Sequence, residues 1–231
     1  MRTDEPAPTG ALTFLFTDIE ESTRLWQDAP EAMQAALARH DAILRGGIEA
    51  LGGRVFGTAG DAFYATFDVA QCALEAVFAL QETLLAEAWP RETPIRVRMA
   101  LHTGAAQSRD GDYFGPPLNV VARLLSVARG GQTLLTGAVR DVLDGARPER
   151  AEIESHGFYR LKGVEARFNR RAACLRRLDD SFDPWAQPRR RMSTAPSPAR
   201  ARASNANAYS DSVGTAAVGA TTGGGASGVN S

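Results

Sequence analysis

From residue 12 to residue 88 the chain alternates short apolar runs with long amphipathic stretches, in the order strand, helix, strand, strand, helix, and few folds accept that order. Residues 12–16 are apolar and β-prone, which predicts a strand. Residues 31–51 place Met33, Leu37, Leu44, Ile48 and Leu51 on one helical face, and Gly52-Gly53 stops that helix. Arg54-Val55-Phe56 and residues 63–67 read as two strands joined by a glycine-containing turn. A second helix is expected over residues 69–88, with Ala73, Val77, Leu80 and Leu84 on its buried face. Beyond it, Ile95, Val97, Met99 and Leu101 alternate with Arg96 and Arg98, a half-buried strand that leads into His102-Thr103-Gly104. An Asp110-Gly111 turn follows, and Pro116-Pro117 suits the opening of a helix that runs to about residue 128. Gly130-Gly131 ends it, residues 132–135 resume as a strand, and residues 138–143 make a short helix. The class is α+β, with helices packed on a largely antiparallel sheet.

A chain of 231 residues buries one ordinary core, so one domain with extensions is expected: an N-terminal extension at 1–10, the folded domain at 11–178 and a tail at 179–231. Past Trp185, Pro, Ser, Ala, Gly and Asn dominate, and the arginines at 189–191, Arg200 and Arg202 read as a solvated tail without a core. A net charge of −1 argues against a dedicated nucleic-acid binder. No stretch reaches the roughly 20 apolar residues that span a bilayer. The first ten residues lack the apolar centre of a secretory signal, and two cysteines, Cys72 and Cys174, make no disulfide framework. A cytoplasmic protein is therefore expected, with Cys72 packed in a helix face.

Two acids close apolar runs, Asp18 in Phe16-Thr17-Asp18-Ile19-Glu20 and Asp61 in Gly60-Asp61-Ala62-Phe63. A strand that ends in an acid presents it at the sheet edge, and a hairpin tip can carry a second acid to face it. Paired carboxylates without a His or Cys cluster favour hard ions such as Mg²⁺ or Mn²⁺, and two such ions suit phosphoryl chemistry. Directly after Asp18, residues 19–23 lead into a helix whose backbone amides, those of Ser22 and Thr23 among them, could cradle a polyphosphate. Asn119 and Arg123 stand four residues apart on one helical face; they converge on one ligand or are exposed polar positions. Lys162 is the only lysine, and a compact ammonium is a common phosphate partner or a solvated charge. His40, alone on a helix, is assigned no role.

Together with Gly53-Arg54-Val55-Phe56, Asp112-Tyr113-Phe114-Gly115, Gly130-Gly131-Gln132 and Arg160-Leu161-Lys162-Gly163, these segments resemble the class III adenylyl/guanylyl cyclase catalytic domain in its bacterial form, across residues 12–164. The resemblance implies a ferredoxin-like, palm-like sheet and a head-to-tail homodimer with shared active sites. The implied reaction takes a nucleoside triphosphate, ATP or else GTP, to its 3′,5′-cyclic monophosphate and pyrophosphate. It further implies that Asp18, Asp61 and the Ile19 carbonyl hold two Mg²⁺ or Mn²⁺ ions and that Lys162 meets the triphosphate. Asn119 would orient the ribose, Arg123 would stabilise charge on the α-phosphate, and Asp112 would read the base.

Three positions depart from that pattern. Gly57 stands where a base-reading lysine is usual. Glu21 replaces a phosphate-loop glycine, removing conformational freedom and adding a charge. Residues 165–175 lack the apolar alternation of a closing strand, so that strand is expected short or frayed. The rival reading is a catalytically impaired nucleotide-binding or dimerisation module. A diguanylate cyclase is disfavoured, because Gly60-Asp61-Ala62-Phe63 lacks the paired glycines and following acid of that signature.

Overall fold

The first strand, β1 (Leu12–Ile19), buries nearly every residue, with Leu12, Phe14 and Phe16 on one face and Leu15 and Ile19 on the other, as the two-residue period of a strand requires. The computed structural model describes residues 10–143, 151–158 and 171–177. A short helix, α1 (Ser22–Asp28), leads directly into α2 (Pro30–Ala50), which opens on a proline. Helix α2 closes through Gly52, where φ is +78°: the Gly53 amide donates to the Ile48 carbonyl (2.9 Å) and the Gly52 amide to that of Glu49 (3.1 Å). Gly53 must stay small, since a Cβ there would sit 2.5 Å from the Phe67 ring.

Next comes the hairpin of β2 (Arg54–Ala59) and β3 (Ala62–Phe67), whose two-residue loop is Gly60-Asp61. Gly60, at φ +60°, supplies the positive φ that a tight hairpin turn demands at its first loop position. Helix α3 (Ala70–Ala86) crosses back to β4 (Val97–Gly104), and the Gln81 side chain donates to the Val97 carbonyl at 2.9 Å. A small two-stranded arm, β5 (Gln107–Arg109) with β6 (Asp112–Phe114), turns at Asp110-Gly111, both at positive φ. Helix α4 (Pro116–Leu125), β7 (Thr133–Thr136), α5 (Gly137–Leu143), β8 (Ala151–Phe158) and β9 (Arg171–Arg177) complete the described elements.

The main sheet has the order β2-β3-β1-β4-β7-β9-β8. Its first four strands, with β1 antiparallel to both β3 and β4, form the ferredoxin-like arrangement expected from the sequence, and β4–β7 is a parallel pair. One face is covered by α2, α3 and α5, whose Met33, Leu44, Leu74, Val77 and Val139 pack on Leu15, Phe67, Met99 and Leu101. The other is covered by α4, whose Val121, Leu124 and Leu125 pack on Phe14, Phe16 and Ala100. Burying each such side chain contributes about 1.5–3 kcal/mol.

Three expectations change. Strand β1 continues through Ile19 and lies between β3 and β4, so Asp18 sits inside an internal strand near its end and not at the sheet edge. Helix α4 ends at Leu125, earlier than residue 128. The closing strand does form: β9 pairs with β7 over four residues and with β8 along its length. Strands on both sides satisfy its backbone, and that pairing outweighs the weak apolar alternation. The extension at 1–9, Lys162 and the tail from 178 onward lie outside the described residues. Among the described residues, no helix is long and apolar enough to cross a membrane.

Candidate active site

Asp61 is held at the hairpin tip by a bond from the neighbouring strand: the Ile19 amide donates to Asp61 Oδ2 at 2.9 Å. A second tie, from the Phe63 amide to Thr17 Oγ1 at 3.3 Å, pins the same corner of the hairpin to β1. Asp18, one residue before Ile19, therefore has Asp61 as its neighbour. Register places Asp18 directly opposite Arg98 on β4, and Arg98 Nε and Nη2 both donate to Asp18 Oδ2, the Nε bond at 2.8 Å. Burial raises the Asp18 carboxyl above the usual carboxylate range, with Asp61 adding repulsion and Arg98 pulling the other way.

His40, fully buried on α2, sits behind this pair. Its Nδ1 meets Asp41 Oδ1 at 2.9 Å, its Nε2 has no partner among the described residues, and its ring stands edge-on to Phe63. Burial depresses its pKa, and the charges of Asp41, Asp61 and Asp18 oppose that shift, so the imidazole feels both site acids.

Two carboxylates and no third acid, His or Cys suit a cation of the Mg²⁺ or Mn²⁺ kind: no group of three or more such residues clusters among the described residues. Such ions keep several waters and take the rest of their shell from phosphate oxygens and backbone carbonyls, so two fixed carboxylates are an adequate protein contribution.

Glu21 occupies the left-handed region, φ 56° and ψ 28°, that the expected glycine would take freely. Its carboxylate turns to Arg24 at 2.8 Å, with both side chains largely exposed. Ser22 and Thr23 form the first turn of α1, where amide groups lack helical partners.

Gly57 lies at an irregularity of β2, and a Cβ there would meet Tyr64 Cδ2 at 3.4 Å, ordinary contact. Asp112 is exposed on β6, with its Oδ1 accepting from the Tyr113 amide at 2.8 Å. Phe56 and Tyr113 stack edge to face at 5.0 Å, which brings the strands of Gly57 and Asp112 together. Asn119 and Arg123 are both on the exposed side of α4, and neither side chain bonds to the aspartates among the described residues.

Arg98 and His40 are the residues that sequence reasoning passed over. The alternation of Arg96 and Arg98 with apolar residues assigned them a face, but only the β1–β4 register gives Arg98 its partner. His40 carried no signal beyond its place on an apolar helix.

Residues 5–173 match the family model of the adenylate and guanylate cyclase catalytic domain. An uncharacterized protein of Mycobacterium tuberculosis is 42% identical over 163 residues, 68% of this chain and 53% of the relative. The adenylate cyclase of Neurospora crassa is 37% identical over 157 residues, 57% of this chain and 7% of that protein. Among solved structures, an adenylate cyclase from Trypanosoma brucei in its monomeric state superposes with a TM-score of 0.67 at 26% identity, over 76% of this chain and 92% of that one. The chain spans about half the length of the mycobacterial relative.

Proposed function

The chain belongs to the adenylate and guanylate cyclase catalytic-domain family, and on that premise we propose that it is a cytoplasmic nucleotide cyclase, converting ATP in preference to GTP into the 3′,5′-cyclic monophosphate and pyrophosphate at the interface of a homodimer. The observation that carries the reading is the Ile19 amide bond to Asp61, which fixes a hairpin-tip acid beside Asp18 before any ligand arrives. Asp18, Asp61 and the Ile19 carbonyl would hold two Mg²⁺ or Mn²⁺ ions, which when bound lower the pKa of the ribose 3′-hydroxyl and neutralise phosphate charge.

The remaining work falls to side chains and amides. The 3′-oxygen, as its proton leaves, attacks the α-phosphorus, and the bond to the bridging oxygen of pyrophosphate breaks. Arg123 of one protomer stabilises the charge that grows on the α-phosphate, and Asn119 orients the ribose so that attack is in line. The first-turn amides of Ser22 and Thr23 receive phosphate oxygens, as does Lys162. Asp112 accepts from the adenine amino group. The exposure of Asn119 and Arg123 supports a division of labour between protomers, since within one chain neither bonds to the acids among the described residues. The pairing of the exposed Glu21 carboxylate with Arg24 at 2.8 Å supports room for a polyphosphate beside α1.

A second reading, a nucleotide-binding or dimerisation module without turnover, rests on Gly57, which leaves the base with half its expected contacts. Incubating the purified protein with ATP or GTP and Mn²⁺ separates the two. Cyclic nucleotide is the expected product, and its absence at high protein concentration, with nucleotide still bound, would favour the module.

A further inference from the structure

The arm that carries Asp112 is a sheet of its own, in which β5 and β6 pair only with each other among the described residues. A two-stranded ribbon is marginally stable by itself, so its placement depends on what ties it to the rest of the fold. Tyr113 supplies a tie. Asp112 and Phe114 are exposed on β6, while Tyr113 between them is 5% exposed, with its ring edge-on to Phe56 at 5.0 Å and to Phe14 at 5.7 Å. Its hydroxyl accepts from Arg54 Nη1 at 3.4 Å, which gives the polar tip of a buried ring its partner. The same residue holds Asp112, whose Oδ1 accepts from the Tyr113 amide at 2.8 Å. Arg54, Tyr113 and Asp112 thus form one line of contacts from β2 to the exposed acid of the arm.

Strand β2 is shaped to aim Arg54 along that line. Residues three apart on a regular strand point to opposite faces. Here Arg54 pairs with Thr66 and Gly57 with Tyr64, two residues apart on β3, because the register shifts between Val55 and Gly57. The extra residue turns Arg54 and Gly57 to the same side, the one on which Phe56 and Tyr64 pack with Phe14, Phe16 and Tyr113. On that side Gly57 offers no side chain, and Arg54 is the cation that β2 presents.

We propose that Arg54 and Tyr113 form a specificity-determining latch: their bond fixes the arm against β2 and so sets the Asp112 carboxylate at the base, giving β2 a part in base choice that Gly57 cannot play directly. Both are positioning residues, acting through Asp112. The proposal rests on the reading of Asp112 as the acceptor for the adenine amino group, and the two can fail separately.

The test is the ATP to GTP ratio of kcat/KM, read beside the ratio of affinities for non-hydrolysable analogues of the two nucleotides. Tyr113→Phe keeps the ring and loses only the hydroxyl; Arg54→Met keeps the aliphatic stem and loses the donors. Each should lower the preference for ATP several-fold, up to about tenfold, with KM for ATP rising more than kcat falls. The double variant should lose no more than either single one, because both remove the same bond. In an Asp112→Ala background neither substitution should move the ratio. An unchanged ratio in Tyr113→Phe, an equal rise in KM for both nucleotides, or a shift that persists without Asp112 overturns the latch. A wild-type protein with no preference for ATP overturns it outright. If Asp112→Ala itself keeps the wild-type ratio, the base reading of Asp112 fails; if Asp112→Ala lowers the ratio while Tyr113→Phe and Arg54→Met do not, only the latch fails. Should the protein bind both analogues without forming a cyclic product, the cyclase reading fails and the affinity ratio still decides the latch.

Discussion

The corner that carries Asp18 and Asp61 and the helix face that carries Asn119 and Arg123 differ in how much of their geometry comes from within one chain. At the corner, each acid has a fixed partner: Arg98 across the β1–β4 register for Asp18, the Ile19 amide for Asp61. On α4, the buried residues fix the helix firmly to the sheet, yet Asn119 and Arg123 stand exposed on its far side. One half is preorganised by its own fold, which is how electrostatic catalysis avoids reorganisation during reaction. The other half presents its groups outward, an arrangement that makes sense if a second copy supplies what they act on.

The largest effects should come from separating those halves. Asp18→Ala and Arg123→Ala should each lower turnover by roughly a hundredfold to a thousandfold. Mixed together, the two inactive variants should recover activity, because a twofold dimer of unlike chains retains one intact site; statistical mixing gives about a quarter of the wild-type rate. Cyclic nucleotide production by the mixture, set against each variant alone, is the measurement. No recovery would mean that both halves operate within a single chain and that the contrast between them has another origin.

What was legible in the sequence follows the same division. The Asp61 hairpin could be read because Gly60-Asp61 is a two-residue turn between apolar strands, and the α4 pair because residues four apart share a helix face. Those are local signals. Arg98 could not be read, because its meaning is a register across strands 80 residues apart, and alternation supplies a face without a partner. His40 was passed over for a related reason: an isolated histidine on an apolar face says nothing of two acids on other elements. Strand β9 was underestimated since its neighbours β7 and β8, and not its own pattern, complete its backbone bonding.

The mounting of α4 offers the next test. His102 on β4 is 4% exposed, its Nδ1 meets Thr136 Oγ1 at 2.9 Å, and its Nε2 has no partner among the described residues. A Cβ added at Gly104 would lie 3.3 Å from Nε2 and 2.9 Å from Pro117 Cγ, so the ring lies close to the first turn of α4. Burial pushes the His102 pKa from 6.5 down to about 4. Between those values the unfolded chain binds a proton that the folded chain refuses. Stability is therefore fully present above pH 6.5 and is lost as pH falls towards 4, by about 3 kcal/mol at most. Buried His40 adds a change of the same sign. Urea unfolding at pH 7.5 and pH 5 should show the loss, and His102→Gln should flatten part of it. Hydrogen exchange should sharpen the contrast: α4 amides should lose protection at pH 5 before those of β1 do.

A smaller effect is expected at the base. Gly57 lies on the edge strand β2, and the 3.4 Å approach to Tyr64 leaves room for a side chain. Gly57→Lys should restore a polar base contact and shift the ATP to GTP ratio of kcat/KM several-fold, up to about tenfold. An unchanged ratio would show that position 57 does not meet the base and would return the whole of base choice to Asp112 and its neighbours.

The smallest effect belongs to Glu21, and it bears on the preorganised half directly. A non-glycine residue at φ 56° carries a steric penalty of about 1 kcal/mol, and the exposed bridge to Arg24 offsets little of it. Glu21→Gly removes the penalty but also loosens the unfolded chain, so the net gain should be about 0.5 kcal/mol, a rise of roughly 1–2 °C in Tm. The decisive comparison is with KM for the triphosphate. If Glu21 only holds a turn, Tm rises and KM stays put. If its charge reaches the phosphates, KM falls as well, more at low ionic strength than at high, because screening by salt would already have muted the repulsion in the wild type.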